Sequence, residues 1–549
     1  MPSAINETDS PLVRAFHQIL IWPLHLVSSK DRADGRNPWD ILRNDPAQIW
    51  KEVDDEFGTD LDSFSERHYR EFVTFLPYVQ RLFYGVGLRR SGGSDGESLI
   101  KVYRRSDIAK ARVVFSGRRE PVTVDMRHID LYFFHDLDLA ILVVEVCGAD
   151  MPLGAVQNML HSFGRAYPAG WDSNGHGLSC PRKTEWLAAD GRVLATSNYE
   201  DRHEYMTAVL RERAPGLASH WQYLLKPLVA DHSDQSGKLR FRQLEGYRMP
   251  LMAYLAVDRL EDLTRSDYIR IAYTNAPGNR NALPYSERHL AEFEQSYCYD
   301  KYFDPSQFGE GLSIRIMCHD HAFLMVGDAT QPIFTDAEQG ILGQFRHQYF
   351  LLALIVHMHK AALLMLSNRM VQTVNDLDTE RTETVRRFRT EIRTHLENFL
   401  RFTHRYWFQE VSDQVQARNV YHILVSHIGT ERLYADIRDE LQDMSAYLDS
   451  DLLRRQSMTF LRLTVVTIVG LIWTSVTGFL GMNLISAALQ PLAVKVLYFV
   501  VTTALFTAIT VYTLAKSQRL ANFLDAVTNE RMSLRAKSAA LLDIWRRKR

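Results

Sequence analysis

Leu463 to Met482 reads LTVVTIVGLIWTSVTGFLGM, and Val496 to Ala515 reads VLYFVVTTALFTAITVYTLA; neither run carries a charge. At the α-helical rise each run reaches roughly 30 Å, the thickness of one hydrocarbon core. The connection between them, 483–495, is too short for a domain. The pair therefore reads as a membrane hairpin near the end of an otherwise polar chain. Arg454, Arg455 and Arg462 precede the first run, and Lys516 and Arg519 follow the second, whereas Lys495 alone lies between them. By the positive-inside rule both flanks face the cytoplasm and the short loop faces out.

The rest of the 549 residues bounds the problem in other ways. Net charge is −2, which offers no basis for nucleic-acid binding, and no nucleic-acid partner is expected. The four cysteines, Cys147, Cys180, Cys298 and Cys318, are scattered without CxxC spacing, so neither a disulfide framework nor a zinc ribbon is indicated. The run ILIWPLHL, Ile19–Leu26, lacks a basic n-region and a cleavage site; it reads as a buried strand rather than a signal peptide. A third apolar run, FLLALIVHMHKAALLML at 350–366, holds His357, His359 and Lys360 at its centre. Such groups are costly in lipid, so this run reads as a buried helix of a soluble domain.

The expected fold class is an α+β cytoplasmic domain followed by a long stalk helix and two C-terminal transmembrane helices. Residues 1–334 read as the α/β domain. PVTVDMRHIDLYFF and LAILVVEVCG form one expected antiparallel hairpin joined by HDLD, and LSIRIMCHDHAFLMVG forms a second that turns at CHDH. The glycine- and serine-rich 89–98 reads as a loop. TDAE, Thr335 with Glu338, is the signature of a capping box and opens a helical region, 335–412. Helices are expected over 335–373, 379–410 and 413–480, the last comprising a stalk at 413–462 and the first span. The hairpin occupies 463–515, and 516–549 is a tail with nine Lys/Arg against Asp525, Glu530 and Asp543. Anionic lipid is a fitting contact for that tail.

Within the stalk, Leu433, Ile437, Leu441, Met444, Leu448 and Leu452 recur at steps of three and four and mark one apolar face. Asp436, Asp439, Glu440 and Asp443 stand between them. They read as a solvated face, or as carboxylates that sense a divalent cation together with a neighbouring subunit, since hard cations need clustered oxygen ligands. In the first span Thr464, Thr467, Leu471, Thr474 and Gly478 make a single stripe of mostly hydroxyl or small residues. That stripe suits either a water-filled axis or ordinary helix packing. Thr503, Thr507 and Thr510 of the second span read as packing against the first. Asn483 carries an amide that hydrocarbon does not tolerate; its carbonyl suits a wet site that accepts hydrogen bonds from the hydration water of a cation such as magnesium.

Gly481-Met482-Asn483 at the outer end of the first span, with the stalk before it and a second span after it, resembles the CorA family of divalent-cation channels, the two-transmembrane GxN superfamily. The resemblance covers about 413–515 and is architectural before that. It implies a homopentamer in the plasma (inner) membrane, with both termini cytoplasmic. Five first spans would line a pore at Phe460, Thr464, Thr467, Leu471, Thr474 and Gly478. Gly481, Met482 and Asn483 would form the selectivity ring, touching the metal through its hydration water. Asp436, Asp439, Glu440 and Asp443 would serve cytoplasmic cation sensing. Magnesium, or cobalt or nickel, is the implied cargo and regulatory ion, and no other cofactor or catalytic residue is expected. The loop LISAALQP, 484–491, departs from the family pattern in having no acid. A ZntB-like zinc transporter and a non-conducting membrane-anchored sensor or scaffold therefore stay open as alternatives.

Three other motifs carry little. CHDH, Cys318–His321, offers metal-ligand types without a second cluster. His357 and His359 do not share a helix face. Ser179 and Cys180 in GHGLSCP have no base to activate them.

Overall fold

A computed structural model describes residues 11–515, apart from 28–36, 54–56, 58–64, 86–97, 309–312, 376–381 and 482–490 and positions 117, 119, 213 and 320. It forms two compact units, Met1–Gln442 and Asp443–Arg549.

Among the described residues of the first unit, fourteen strands join in one mixed sheet. Its spine is the strand Leu12–Val27, which pairs antiparallel with Leu139–Pro152 from Leu12↔Pro152 to His25↔Leu139. This strand is ILIWPLHL and its flanks, buried on both faces as expected, which explains its near-continuous apolar character. Pro23 is tolerated inside it for a local reason. Leu26 N–H donates to Asp138 O, whereas Ile21 N–H donates to Pro250 O on the opposite side. Odd-numbered amides therefore face the second neighbour. There the partner changes from Leu251–Val257, which ends at Leu20↔Leu251, to Leu239–Gln243, which begins at Leu24↔Gln243. Pro23 stands at the start of the second partner, where its carbonyl accepts from Leu244 N–H at 3.5 Å, so its missing N–H removes one bond at the end of a ladder and none from the middle.

Both expected hairpins form. Val122–Phe134 pairs antiparallel with Leu139–Pro152, and Ile314–His319 pairs antiparallel with Ala322–Asp328. The latter strand runs parallel to Leu251–Val257. Leu20, Trp22, Leu24 and Leu26 enter a core that holds Trp186 and Trp221. On the other face, His25 meets Arg369 of the helix Phe350–Asn375.

That helix is the expected buried one. Among the described residues, two helices are long and apolar enough to cross a membrane, Ile341–Asn375 and Leu492–Tyr512. The first is 83% buried inside the protein over its most apolar window. His357 and His359 are buried, and Lys360 reaches Glu245 at 2.8 Å.

Three sequence expectations are corrected. Thr335 does not open a helix; it ends the short helix Pro332–Thr335, and the Asp336 carboxylate accepts the N–H groups of Glu338 and Gln339. The next helix starts at Ile341, because Gly340 passes so close to Ile333 O that a Cβ would lie 2.3 Å from it. The helix expected at 379–410 spans Thr382–Arg405. The helix expected at 413–480 is two: Val415–Ile428 and Thr430–Gly481. Gly429 separates them at φ 76°, its N–H returning to Val425 O; a left-handed residue ends a helix, and glycine adopts that conformation without a Cβ clash. The boundary between the units lies inside the second of these helices.

Candidate functional site

In the second unit, the Thr430–Gly481 helix carries the shorter apolar stretch Val466–Gly481, and Leu492–Ala515 forms the second helix. The Leu492–Tyr512 segment is only 6% buried within the chain, so its apolar side chains need an apolar surrounding. The two helices meet through aromatic pairs, Trp473 with Phe499 (6.2 Å between centroids) and Phe479 with Phe506 (6.1 Å). Val476 and Thr502 are buried. Steps of three on the first helix thus define the face consumed by the hairpin itself.

The threonine stripe lies off that face. Thr464, Thr467, Thr474 and Gly478 are exposed in the single chain, as are Phe460 (67%) and Leu471 (61%). The hydroxyls of Thr464, Thr467 and Thr474 donate to the carbonyls of Phe460, Leu463 and Gly470 at 2.7–2.8 Å. Donation inward occupies the proton and leaves the oxygen lone pairs facing out. Three acceptors on one face have the polarity that suits a cation or its hydration water. Gly481 is the last described residue of this helix, and a Cβ there would meet no described atom within 4 Å. Met482, Asn483, the loop 484–490 and the tail 516–549 lie outside the described residues.

Of the second-span set, Thr503 and Thr507 line an open groove of about 620 Å³ with Phe499, Val500, Ala504, Ala508 and Val511, and Thr510 is half-buried. Thr502 is the buried threonine. Phe499 and Phe506 dictate this rotation, because the large rings take the closest contact and Thr502 lies between them on the same face.

Asp436, Asp439, Glu440 and Asp443 are exposed, while Ile437 and Leu441 beside them are buried. Asp439 pairs with the adjacent Arg438 at 3.0 Å. This geometry is that of a solvated helix face. Among the described residues of one chain, no group of three or more His, Cys, Asp or Glu is placed to hold a metal ion.

The motifs set aside on sequence are interior only in part, with Leu178 of GHGLSCP exposed and His319 and His321 of CHDH half-buried. Cys318 and His357 are buried, and His319, His321, His357 and His427 line one small cavity of about 10 Å³. Burial pushes His357 and His359 down to about 4, so both are neutral near pH 7. Burial also pushes the Cys180 thiol up to about 12, which removes its nucleophilic form.

One polar cluster escaped the sequence reading. Glu145, in the middle of the strand Leu139–Pro152, receives Arg346 Nε at 2.6 Å and lies 3.2 Å from His17 Nδ1. Glu71 contacts His347 at 3.2 Å, and Arg104 pairs with Asp130 at 2.7 Å. Glu145, Arg346, Glu71, His347, Arg104 and Asp130 line a cavity of about 40 Å³. Arg346 and His347 reach it from one π-helical turn, Phe345–Tyr349. Burial alone would raise the Glu145 pKa, but hydrogen bonds from His17 and Arg346 and the Arg346 charge hold it at about 2. The available signal was a glutamate inside the otherwise apolar LAILVVEVCG. This unit also has an open cleft of about 1200 Å³, lined by Asp201, Glu204, Arg211, Glu212, Lys226 and His232 among others.

Compared with known proteins, no family model matches this chain and no curated protein matches it.

Proposed function

We propose that this chain is a CorA-like membrane transport protein that passes divalent cations, magnesium first, through a pore built from several copies. Phe460, Thr464, Thr467, Leu471, Thr474 and Gly478 of each first span line the axis, and Gly481, Met482 and Asn483 form its outer ring. Cation occupancy near Asp436, Asp439, Glu440 and Asp443, completed by a neighbouring copy, closes the pore. The assembly is a homopentamer in the plasma membrane with both termini cytoplasmic. The observation that carries this reading is the division of labour on the first apolar helix. Trp473, Val476 and Phe479 face the second helix, and the threonine stripe faces away with its oxygen acceptors outward.

Purified protein in vesicles loaded with a magnesium-sensitive dye tests it. Wild type carries magnesium inward, and Asn483→Ala changes both the rate and its inhibition by cobalt. An unchanged rate and inhibition profile would remove Asn483 from the pore. Competition between magnesium, cobalt and zinc separates magnesium transport from a ZntB-like zinc carrier. A non-conducting sensor is the second reading, supported by the cleft of about 1200 Å³ in the first unit. It predicts no flux with any of these ions.

A further inference from the structure

Arg165 and Arg248 occupy directly opposite positions on two backbone segments. Ala166 N–H donates to Tyr247 O at 2.8 Å and Met249 N–H donates to Gly164 O at 2.9 Å, which makes Arg165↔Arg248 an antiparallel bridge. This is the non-hydrogen-bonded type of pair, in which side chains project to the same face and start about 4.5 Å apart at Cα. Like charges in that position repel. Arg165 is nevertheless 2% exposed, and Arg248 is half-buried with its Nε shielded from solvent; burial together with Arg165 lowers the Arg248 pKa to about 9.

Three other interior arginines of this unit have carboxylates. Arg346 has Glu145, Arg315 has Asp300, and Arg105 has Asp107. Arg165 and Arg248 have none among the described residues. Arg165 Nε and Nη2 donate to His161 O at 3.0 and 2.8 Å, and its guanidinium lies 4.8 Å from the Tyr247 ring centroid. Arg248 Nη2 donates to Thr274 O at 3.0 Å. Arg165 Nη1 and Arg248 Nε are buried with no hydrogen-bond partner.

The remaining neighbours do not neutralise the pair. His161 O closes the helix Leu153–Ser162, and Thr274 O lies just past the helix Arg265–Ala272. Each helix C-terminus supplies roughly half a negative charge. Two helix ends against two guanidiniums leave about one positive charge uncompensated. Several ionisable groups here are held uncharged near pH 7. Burial lowers His161 to about 4 and His321 to about 2, and raises Tyr167, Tyr199 and Cys180. Thr274 holds φ 49°, a left-handed conformation unusual for a β-branched residue. Its carbonyl meets both Arg248 Nη2 and His161 Nδ1, and its hydroxyl lies 3.3 Å from His321 Nε2. The backbone is bent to aim this end of the helix at the arginine pair.

We propose that Arg165 and Arg248 form a receptor for one small monoanion of the size of chloride or formate, bridged between Arg165 Nη1 and Arg248 Nε. A single negative charge completes the local balance and takes both unused N–H groups, and the shielding of those atoms from solvent limits the ligand to a small one. The two motifs that the sequence presented without a role, GHGLSCP and CHDH, flank this place through Cys180 and His321.

Thermal unfolding of the full chain in detergent, at fixed ionic strength, tests the site. With chloride or formate replacing gluconate, too large to enter, the wild-type midpoint rises. Above the dissociation constant the folded-to-unfolded ratio grows about tenfold per tenfold of anion. Arg248→Met abolishes that dependence and, without anion, is at least as stable as wild type because the like-charge repulsion is gone. Equal wild-type midpoints in chloride, formate and gluconate, or an undiminished chloride effect in Arg248→Met, would overturn the proposal. Should that variant not fold, crystals of the wild type in bromide decide: an anomalous peak between Arg165 Nη1 and Arg248 Nε supports the site, and its absence refutes it.

Discussion

Arg346 donates to Glu145 through Nε at 2.6 Å and Nη2 at 3.2 Å, joining the π-helical turn to the middle of a central strand across 201 positions of sequence. The Glu145 side chain is 6% exposed, so the pair fixes how the helical layer registers on the sheet.

Removing one partner leaves a buried charge without its counter-ion. Arg346→Ala is expected to cost about 3–5 kcal/mol, while the double change of Glu145→Leu with Arg346→Met costs less than either single change. Urea unfolding of the four proteins checks this. The pH dependence has a definite sign. Glu145 is held at about 2, below its unfolded value near 4.5, so its contribution is present above the unfolded value and is lost as pH falls toward 2. A double variant less stable than both single variants would refute the pairing.

Buried histidines give the fold a second, milder acid limit. Burial lowers His25, His161, His357 and His359 to about 4, and His220 to about 3. The unfolded chain therefore binds more protons below about pH 6.5. Stability is highest above that value and falls as pH drops toward 4. Each such histidine contributes about 1.4 kcal/mol per pH unit within the window. Chemical denaturation at pH 7, 6 and 5 reads the slope, and a flat profile would contradict neutral burial.

Gly429 is the hinge between two helices that the hydropathy pattern alone runs together. At φ 76° an alanine costs about 1 kcal/mol even though its Cβ would meet nothing within 4 Å. Gly429→Asn is expected to cost less, because asparagine tolerates the left-handed region. Equal stability of the alanine and glycine forms would show that the break relaxes to a continuous helix.

On the proposed pore reading, the C-terminal pair of apolar helices separates folding from transport. Trp473→Ala removes a ring from the contact with Phe499 and is expected to lower the yield of folded protein. Thr474→Val keeps shape and deletes an outward oxygen, so flux falls while yield and thermal midpoint hold. A loss of yield in both variants would place the threonine stripe in helix packing instead.

Much of the local structure was legible in the chain. The apolar run at 19–26, the two hairpins and the helix holding His357, His359 and Lys360 follow from neighbouring residues, because strand alternation, turn chemistry and the cost of charge in lipid are short-range rules. The helix break was only faintly legible, since Gly429 announces itself by conformation rather than by hydropathy. The capping-box reading at Thr335 failed for a related reason: Asp336, one residue on, competes for the same N–H groups and wins.

The sequence by itself determined which segments are apolar, where two hairpins and the buried helix form, and that Gly481, Met482 and Asn483 stand where the first of two uncharged runs ends. Only the tertiary structure decided that Pro23 sits where the strand changes partners, that Thr502 rather than Thr503 faces the first helix, and that Glu145 meets Arg346. It alone set Arg165 opposite Arg248. These are relations between segments far apart in the chain, fixed by the packing of whole sheets and helices, and no local pattern of residue types encodes which distant side chain completes a buried charge.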